Sequence, residues 1–177
     1  MTSHGVDMDP VAFEKYINEY GRDVYSFCMY LTRNKDDADD LYQQTFLTAY
    51  EKNSIDDNKN PKSYLITISV NIWNNQKRKI LWRRNKADII HFHDEALNRI
   101  EDGKDSVEEE VIRKEDQLRV RRFVDALPDR YKLVILMFYM ENMSIDEIAS
   151  ALKVPNGTVK SRLHKAKQVL KEKMAYE

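Results

Sequence analysis

From Phe13 through Ile17, Tyr20, Val24 and Phe27 to Leu31, apolar residues recur at alternating steps of four and three, the period of one buried helical stripe. Asp9-Pro10 before it supplies a capping carboxylate and a first-turn proline, so the stripe predicts one long amphipathic helix. After a polar break at Thr32 to Lys35, a second stripe follows in Ala38, Leu41, Tyr42, Thr45, Phe46 and Ala49. Asp36, Asp37, Asp39 and Asp40 load its opening with negative charge that suits a helix dipole. Asn60-Pro61 repeats the cap-then-proline signal, and Leu65, Ile68 and Ile72 mark the buried side of a third helix. That helix runs on into the basic tract Gln76 to Arg84. With only 4 Gly and 4 Pro in 177 residues, an all-β sandwich is excluded.

The second half repeats the helical theme at a smaller scale. Ser106 and Glu109 have capping-box spacing and open a helix to roughly Leu127, stopped by Pro128; a short apolar helix then runs from Asp129 to about Glu141. Ser144 and Glu147 form a second capping box before Ile148, Ala149 and Leu152, a helix of about eight residues. After the turn Lys153 to Gly157, Val159, Leu163, Ala166 and Leu170 mark the final helix. Between the two halves, about Asn85 to Asp105 carry no period and contain Gly103 in an acidic stretch, as a linker would. The fold expected is all-α: two small helical domains joined by a flexible linker, at 1–86 and 107–177 with 87–106 between them.

Charge follows the same partition. The net charge of -1 hides block balances of -6 for residues 1–60, +7 for 61–87, -7 for 88–116 and +5 for 117–177. Two basic islands on helical elements point to polyanion contact at two places. A short capped helix, a turn and a helix with a polar, basic outer side describe a helix-turn-helix, whose second helix enters the major groove. Asn156, Thr158, Lys160, Ser161, His164 and Lys165 lie off the apolar stripe and have the donors that groove reading requires. Arg162, Lys167, Lys171 and Lys173 are placed to neutralise backbone phosphates.

Leu127-Pro128, Ser144 to Ala149 and Gly157 to Leu163 with Ala166 resemble the promoter-reading C-terminal domain of bacterial extracytoplasmic-function sigma factors. Asp37 to Phe46 is similar to that family's core-polymerase docking helix, and Pro61 to Arg84 to its segment for opening the minus-ten element. The resemblance implies polymerase contact by Asp39, Asp40, Gln43 and Gln44, with Leu41 and Phe46 kept in the core. It implies minus-ten contact by Ser54, Asn58 and Asn60 in the loop Asn53 to Asn60, with Lys77, Arg78, Lys79, Arg83 and Arg84 following the phosphates. Minus-35 reading falls to Asn156, Thr158, Lys160, Ser161, Arg162, His164 and Lys165. Trp73 and Trp82 could stack on bases, although a helical Trp in a small domain is more often a core residue than a platform. Gln44 stands where the family commonly has Glu, Tyr64-Leu65 where it has Trp-Leu, and Asn75 where an acidic residue is frequent. Core RNA polymerase, promoter DNA and an inhibitory anti-sigma protein are the implied partners.

Rival readings are weaker. Cys28 sits in the first apolar stripe as a small buried hydrophobe, and one cysteine forms no internal disulfide. His91, His93, Asp94 and Glu95 are too few and too irregular for a closed metal site, and the four glycines form no phosphate-cradling loop. No enzyme activity, metal or cofactor is therefore expected. The longest apolar run, Leu133 to Met140, is far short of the about 20 residues of a membrane span. The opening MTSHGVDMDP lacks a secretory pattern, so a cytoplasmic location is expected. A dimeric helix-turn-helix regulator would explain residues 127–173 but leaves the acidic second helix and the first basic island without a role.

Overall fold

Helix starts in this chain are fixed by the residues just before them. In the computed structural model, which describes residues 9–86 and 108–176, α1 (Pro10–Thr32) begins where Asp9 accepts the Val11 amide at 3.2 Å. Asn34 accepts from the Asp37 amide at 3.1 Å to open α2 (Lys35–Lys52). Asn60 does the same for the Ser63 amide, also at 3.1 Å, at the head of α3 (Pro61–Lys86). Each cap satisfies an amide that the first turn leaves without an intrahelical acceptor. Among the described residues all regular structure is helical, continuing with α4 (Glu108–Asp125), α5 (Asp129–Ile135), α6 (Ile145–Leu152) and α7 (Asn156–Ala175). The chain divides into two compact units, α1 to α3 and α4 to α7. The cut between them, the expected linker 87–106 and Ser106 lie outside the described residues.

In the first unit three helices bury one shared core. Val24, Phe27 and Cys28 of α1, Ala38 and Leu41 of α2, and Leu65, Ile66 and Val70 of α3 are fully enclosed, each large side chain contributing roughly 2 kcal/mol of apolar transfer. Cys28 is the small buried hydrophobe its stripe predicted. The α2–α3 seam carries one polar pair, the hydroxyls of Thr45 and Ser69 at 3.0 Å, both buried. Gly21 leaves room for Tyr42: a Cβ there would lie 2.8 Å from the tyrosine's hydroxyl oxygen and displace the tip of that side chain.

The α1 stripe differs from expectation at one step. Ile17 is 37% exposed, and Tyr16 turns inward in its place at 7%. Both choices fit steps of three and four, but Tyr16 adds a hydrogen bond from its hydroxyl to Asp57 Oδ1, at 2.7 Å and 41 residues on. That bond ties the loop before α3 to the first helix.

The second unit is built around α7. Val159, Leu163 and Ala166 recur along its buried side and pack with Ile148 of α6 and Leu133 and Val134 of α5. α5 ends earlier than the expected Glu141: the α-helix stops at Ile135 and Leu136–Met140 form one π-turn, closed by the Glu141 amide on the Leu136 carbonyl at 3.1 Å. The wider turn keeps Leu136 and Met137 inside while leaving Tyr139 half-exposed. Lys132 is buried and pairs with Asp125 at 3.0 Å, which offsets the cost of desolvating the ammonium.

Candidate nucleic-acid interface

α6 starts on the capping box foreseen from sequence: Ser144 Oγ accepts from the Glu147 amide at 3.2 Å, and Glu147 accepts from the Ser144 amide at 2.7 Å. It ends on Lys153, a left-handed residue at φ 55°, ψ 47°. Here the chain reverses, with the Val154 amide bonded to the Ala149 carbonyl at 3.0 Å. Asn156 Nδ2 then donates back to Asp146 Oδ1, joining the start of α7 to the first turn of α6. These contacts fix the second helix against the first.

With Val159, Leu163 and Ala166 turned inward, Asn156, Lys160, Ser161, His164 and Lys165 are exposed on the opposite side of α7, and Thr158 and Arg162 are half-buried at its flanks. Ser161 donates to the Thr158 carbonyl at 3.0 Å and Lys165 to Gln168 at 3.3 Å. Lys167 sits 5.4 Å from the Tyr139 ring, so the exposed tyrosine of the π-turn borders the same cationic side. α7 has no side-chain cap, since Pro155 occupies that position. Its first-turn amides therefore suit an anion, which a helix N-terminus favours.

The basic extension of α3 is organised differently. Among the described residues Trp73 is the last buried one of α3, at 6% exposed, with Lys77 stacked 4.1 Å over the indole. Arg78, Lys79, Arg83 and Arg84 beyond it are exposed, and Arg78 bonds Asn75. Trp82 departs from expectation: at 63% exposed it is no core residue, because the helix has by then run past the other two. In the preceding loop Ser54 donates to the Lys52 carbonyl at 2.7 Å, and the Asn58 amide is held by Asp56 at 2.9 Å. Asn60 spends its side-chain oxygen on the α3 cap. The Tyr16 hydroxyl is pushed up to about 12, first by its hydrogen bond to Asp57 and then by burial.

On α2 the exposed side carries Asp36, Asp37, Asp40, Gln43, Gln44 and Leu47. Asp39 is half-buried and accepts from the Tyr25 hydroxyl at 2.8 Å, which raises the tyrosine's pKa. Gln44 accepts from Gln76 of α3 at 3.2 Å, bridging the acidic helix to the root of the basic extension. Leu41 and Phe46 lie in the core as expected. Leu47, 57% exposed beside Gln43 and Gln44, was missed, although its position off the apolar stripe was the available signal. Among the described residues no group of His, Cys, Asp and Glu could hold a metal ion; His91, His93, Asp94 and Glu95 lie outside them. Among those residues too, no helix is long and apolar enough to cross a membrane.

A capped short helix, a left-handed turn and a second helix with a cationic outer side define the second unit as a helix-turn-helix DNA reader. Comparison with known proteins carries this further. Sigma-70 region 2 matches residues 16–84 and Sigma-70, region 4 matches residues 117–170. The ECF RNA polymerase sigma factor SigW of Bacillus subtilis is 28% identical over 175 residues, covering 94% of this chain and 90% of that protein. SigM of the same organism is 26% identical over 152 residues, covering 86% and 88%. Among solved structures, the sigma factor RpoE of Bartonella quintana, in complex with the anti-sigma factor NepR, shares the fold at TM-score 0.71 and 22% identity, covering 91% and 95% of the two chains. The chain belongs to the extracytoplasmic-function group of the sigma-70 family. It is a sigma factor that directs promoter-specific transcription initiation. The family is not a class of enzymes, and the match of the first unit to region 2 accounts for what a stand-alone regulator would leave without a role.

Proposed function

We propose a division of labour between three surfaces of this sigma factor. The exposed acidic side of α2, with Asp40, Gln43 and Gln44 and with Asp39 at its edge, docks on core RNA polymerase. The loop residues Ser54, Asn58 and Asn60 and the α3 cations Lys77, Arg78, Lys79, Arg83 and Arg84 hold the minus-ten element. Lys160, Ser161, His164 and Lys165 read the minus-35 element from α7, while Asn156, Thr158 and Arg162 orient that helix and meet phosphates. Domains at 1–86 and 107–177, joined by 87–106, let the two promoter contacts form together.

The observation that carries this reading is the outer side of α7: Lys160, Ser161, His164 and Lys165 are all exposed while Val159, Leu163 and Ala166 are buried. Donors so arranged meet base edges in a major groove without disturbing the core. The chain works in the cytoplasm, carries out no covalent chemistry itself, and is held inactive by an anti-sigma protein, as the Bartonella relative is bound by one. Run-off transcription with core polymerase on fragmented genomic DNA tests the reading. Wild type should initiate at a discrete set of promoters. Lys160→Glu with Lys165→Glu should abolish those products while the chain still co-migrates with core polymerase; loss of both activities together, or of neither, overturns the assignment.

A further inference from the structure

We propose that Tyr139, which lies outside the helix-turn-helix, is a DNA contact of the minus-35 site: its hydroxyl donates to a backbone phosphate, and its ring holds Lys167 in place for a neighbouring phosphate. This rests on the reading that α7 lies in a major groove, and it adds a contact at the rim of that groove. Tyr139 belongs to the π-turn that follows α5, and such a local widening of a helix recurs at functional sites. Here the turn keeps Leu136 and Met137 in the core and leaves Tyr139 52% exposed. The ring is nonetheless held, by Phe138 edge-to-face at 5.0 Å and by the Lys167 ammonium at 5.4 Å. Among the described residues the Tyr139 hydroxyl makes no hydrogen bond, so its proton is available to a ligand.

The surroundings of Tyr139 select an anion. Lys160, His164, Lys167 and Lys171 recur along α7 at steps of four, three and four, so they share one side of the helix, and all four are exposed. Tyr139 stands beside that row at Lys167, and the row contains no carboxylate. A recognition helix meets base edges with its N-terminal residues, which leaves its later turns beside the phosphate strands that border the groove. Lys160 to Lys165 fall in the first part of α7, and Lys167 lies beyond them. A phenol at that rim adds a donor on a short, stiff side chain, where lysine alone brings a charge on a flexible stem. Contact with the ring also restricts Lys167 before DNA arrives, so less side-chain freedom is lost on binding.

The test uses the full chain bound to core polymerase and a promoter duplex recovered by the run-off experiment, with wild type, Y139F and K167A compared over a salt series. Y139F keeps the ring and loses the donor. It should bind about five-fold more weakly at every minus-35 sequence tested, with the salt slope unchanged because a neutral hydroxyl displaces no counterion. K167A should instead lower the slope by about one. Replacing single phosphates beside the minus-35 element with uncharged methylphosphonates should reveal one position at which the difference between Y139F and wild type disappears. Y139F binding as tightly as wild type, a loss that varies with base identity, a loss that survives every such replacement, or a defect in co-migration with core polymerase would each overturn the proposal; the last would make the tyrosine a protein contact. Failure of the wider reading is seen separately: wild-type binding is then indifferent to the minus-35 sequence. Sequence-specific binding by wild type with Y139F unaffected removes the tyrosine contact alone.

Discussion

The two cationic surfaces of this protein are both helical, yet they are held in opposite ways. α7 is anchored through its first three turns by Val159, Leu163 and Ala166, so the residues exposed there form one fixed side. The α3 extension is anchored only at its root: after Trp73 nothing from Arg78 to Asn85 is buried. A fixed row of donors suits the rigid pattern of a major groove, where a displaced donor loses its partner. A helix exposed on all sides, rich in cations and carrying an indole, suits a strand that adapts to it. The difference in anchoring thus parallels the difference between reading duplex and holding a melted strand.

The sharpest way to break the comparison is to cut the anchors. Leu163→Ala, at a position 6% exposed, should destabilise the second unit by about 2–5 kcal/mol in denaturant unfolding and remove minus-35 recognition with it. Leu81→Ala, at 57% exposed, should stay within about 0.5 kcal/mol of wild type. Equal costs would mean that the extension is packed in solution and that the contrast is wrong.

Next in size are the effects on DNA itself. Lys160→Ala should lose about 1–3 kcal/mol of discrimination at one minus-35 base pair, seen by comparing promoters substituted at each position. Arg83→Ala should instead weaken binding evenly across sequences and lower the salt slope by about one. If Arg83→Ala changes base preference, the extension reads sequence and the two surfaces are more alike than their anchoring indicates.

What could be read from sequence follows the same physical line. The α7 stripe was legible because its core needs one apolar residue per turn, and Ser144 and Glu147 were legible because a capping box is a purely local pattern. Tyr16 was not, because its partner Asp57 lies 41 residues away and the three-four spacing fits Ile17 equally well. The π-turn Leu136–Met140 left no mark in an apolar run without a breaker. Trp82 was misplaced for the same kind of reason: the basic tract reads as helix throughout, and nothing local shows where that helix outruns its neighbours. The acidic outer side of α2 was legible in its charges, but the Gln44–Gln76 bridge needed two helices to be brought together.

A smaller test concerns the loop before α3. Tyr16→Phe should cost about 1 kcal/mol by deleting the bond to Asp57. The hydroxyl rises from 10.0 to about 12 on folding, so its stabilisation is complete below pH 10 and is lost as pH climbs through 12. The phenylalanine chain should lack this alkaline decline, and a persisting decline would place its origin elsewhere. Because the bond holds the loop that precedes the extension, its loss should also weaken minus-ten contact while leaving minus-35 discrimination intact.

The smallest effect expected is a gain. Lys153 holds the turn between α6 and α7 in a left-handed conformation, φ 55° and ψ 47°, that costs an L-residue about 1–2 kcal/mol. Lys153→Gly removes that strain but adds conformational entropy to the unfolded chain, worth roughly 0.5–1 kcal/mol in the opposite sense. The net should be a stabilisation below about 1 kcal/mol, read as a higher midpoint for the second unit, with minus-35 preference unchanged. The geometry of the turn is set by backbone bonds, from the Lys153 amide to Ser150 at 3.3 Å and from the Val154 amide to Ala149 at 3.0 Å, and glycine retains both. If the substitution instead relaxes base preference, the lysine side chain rather than the backbone holds α7 in register, and the fixed side of the comparison depends on one exposed cation.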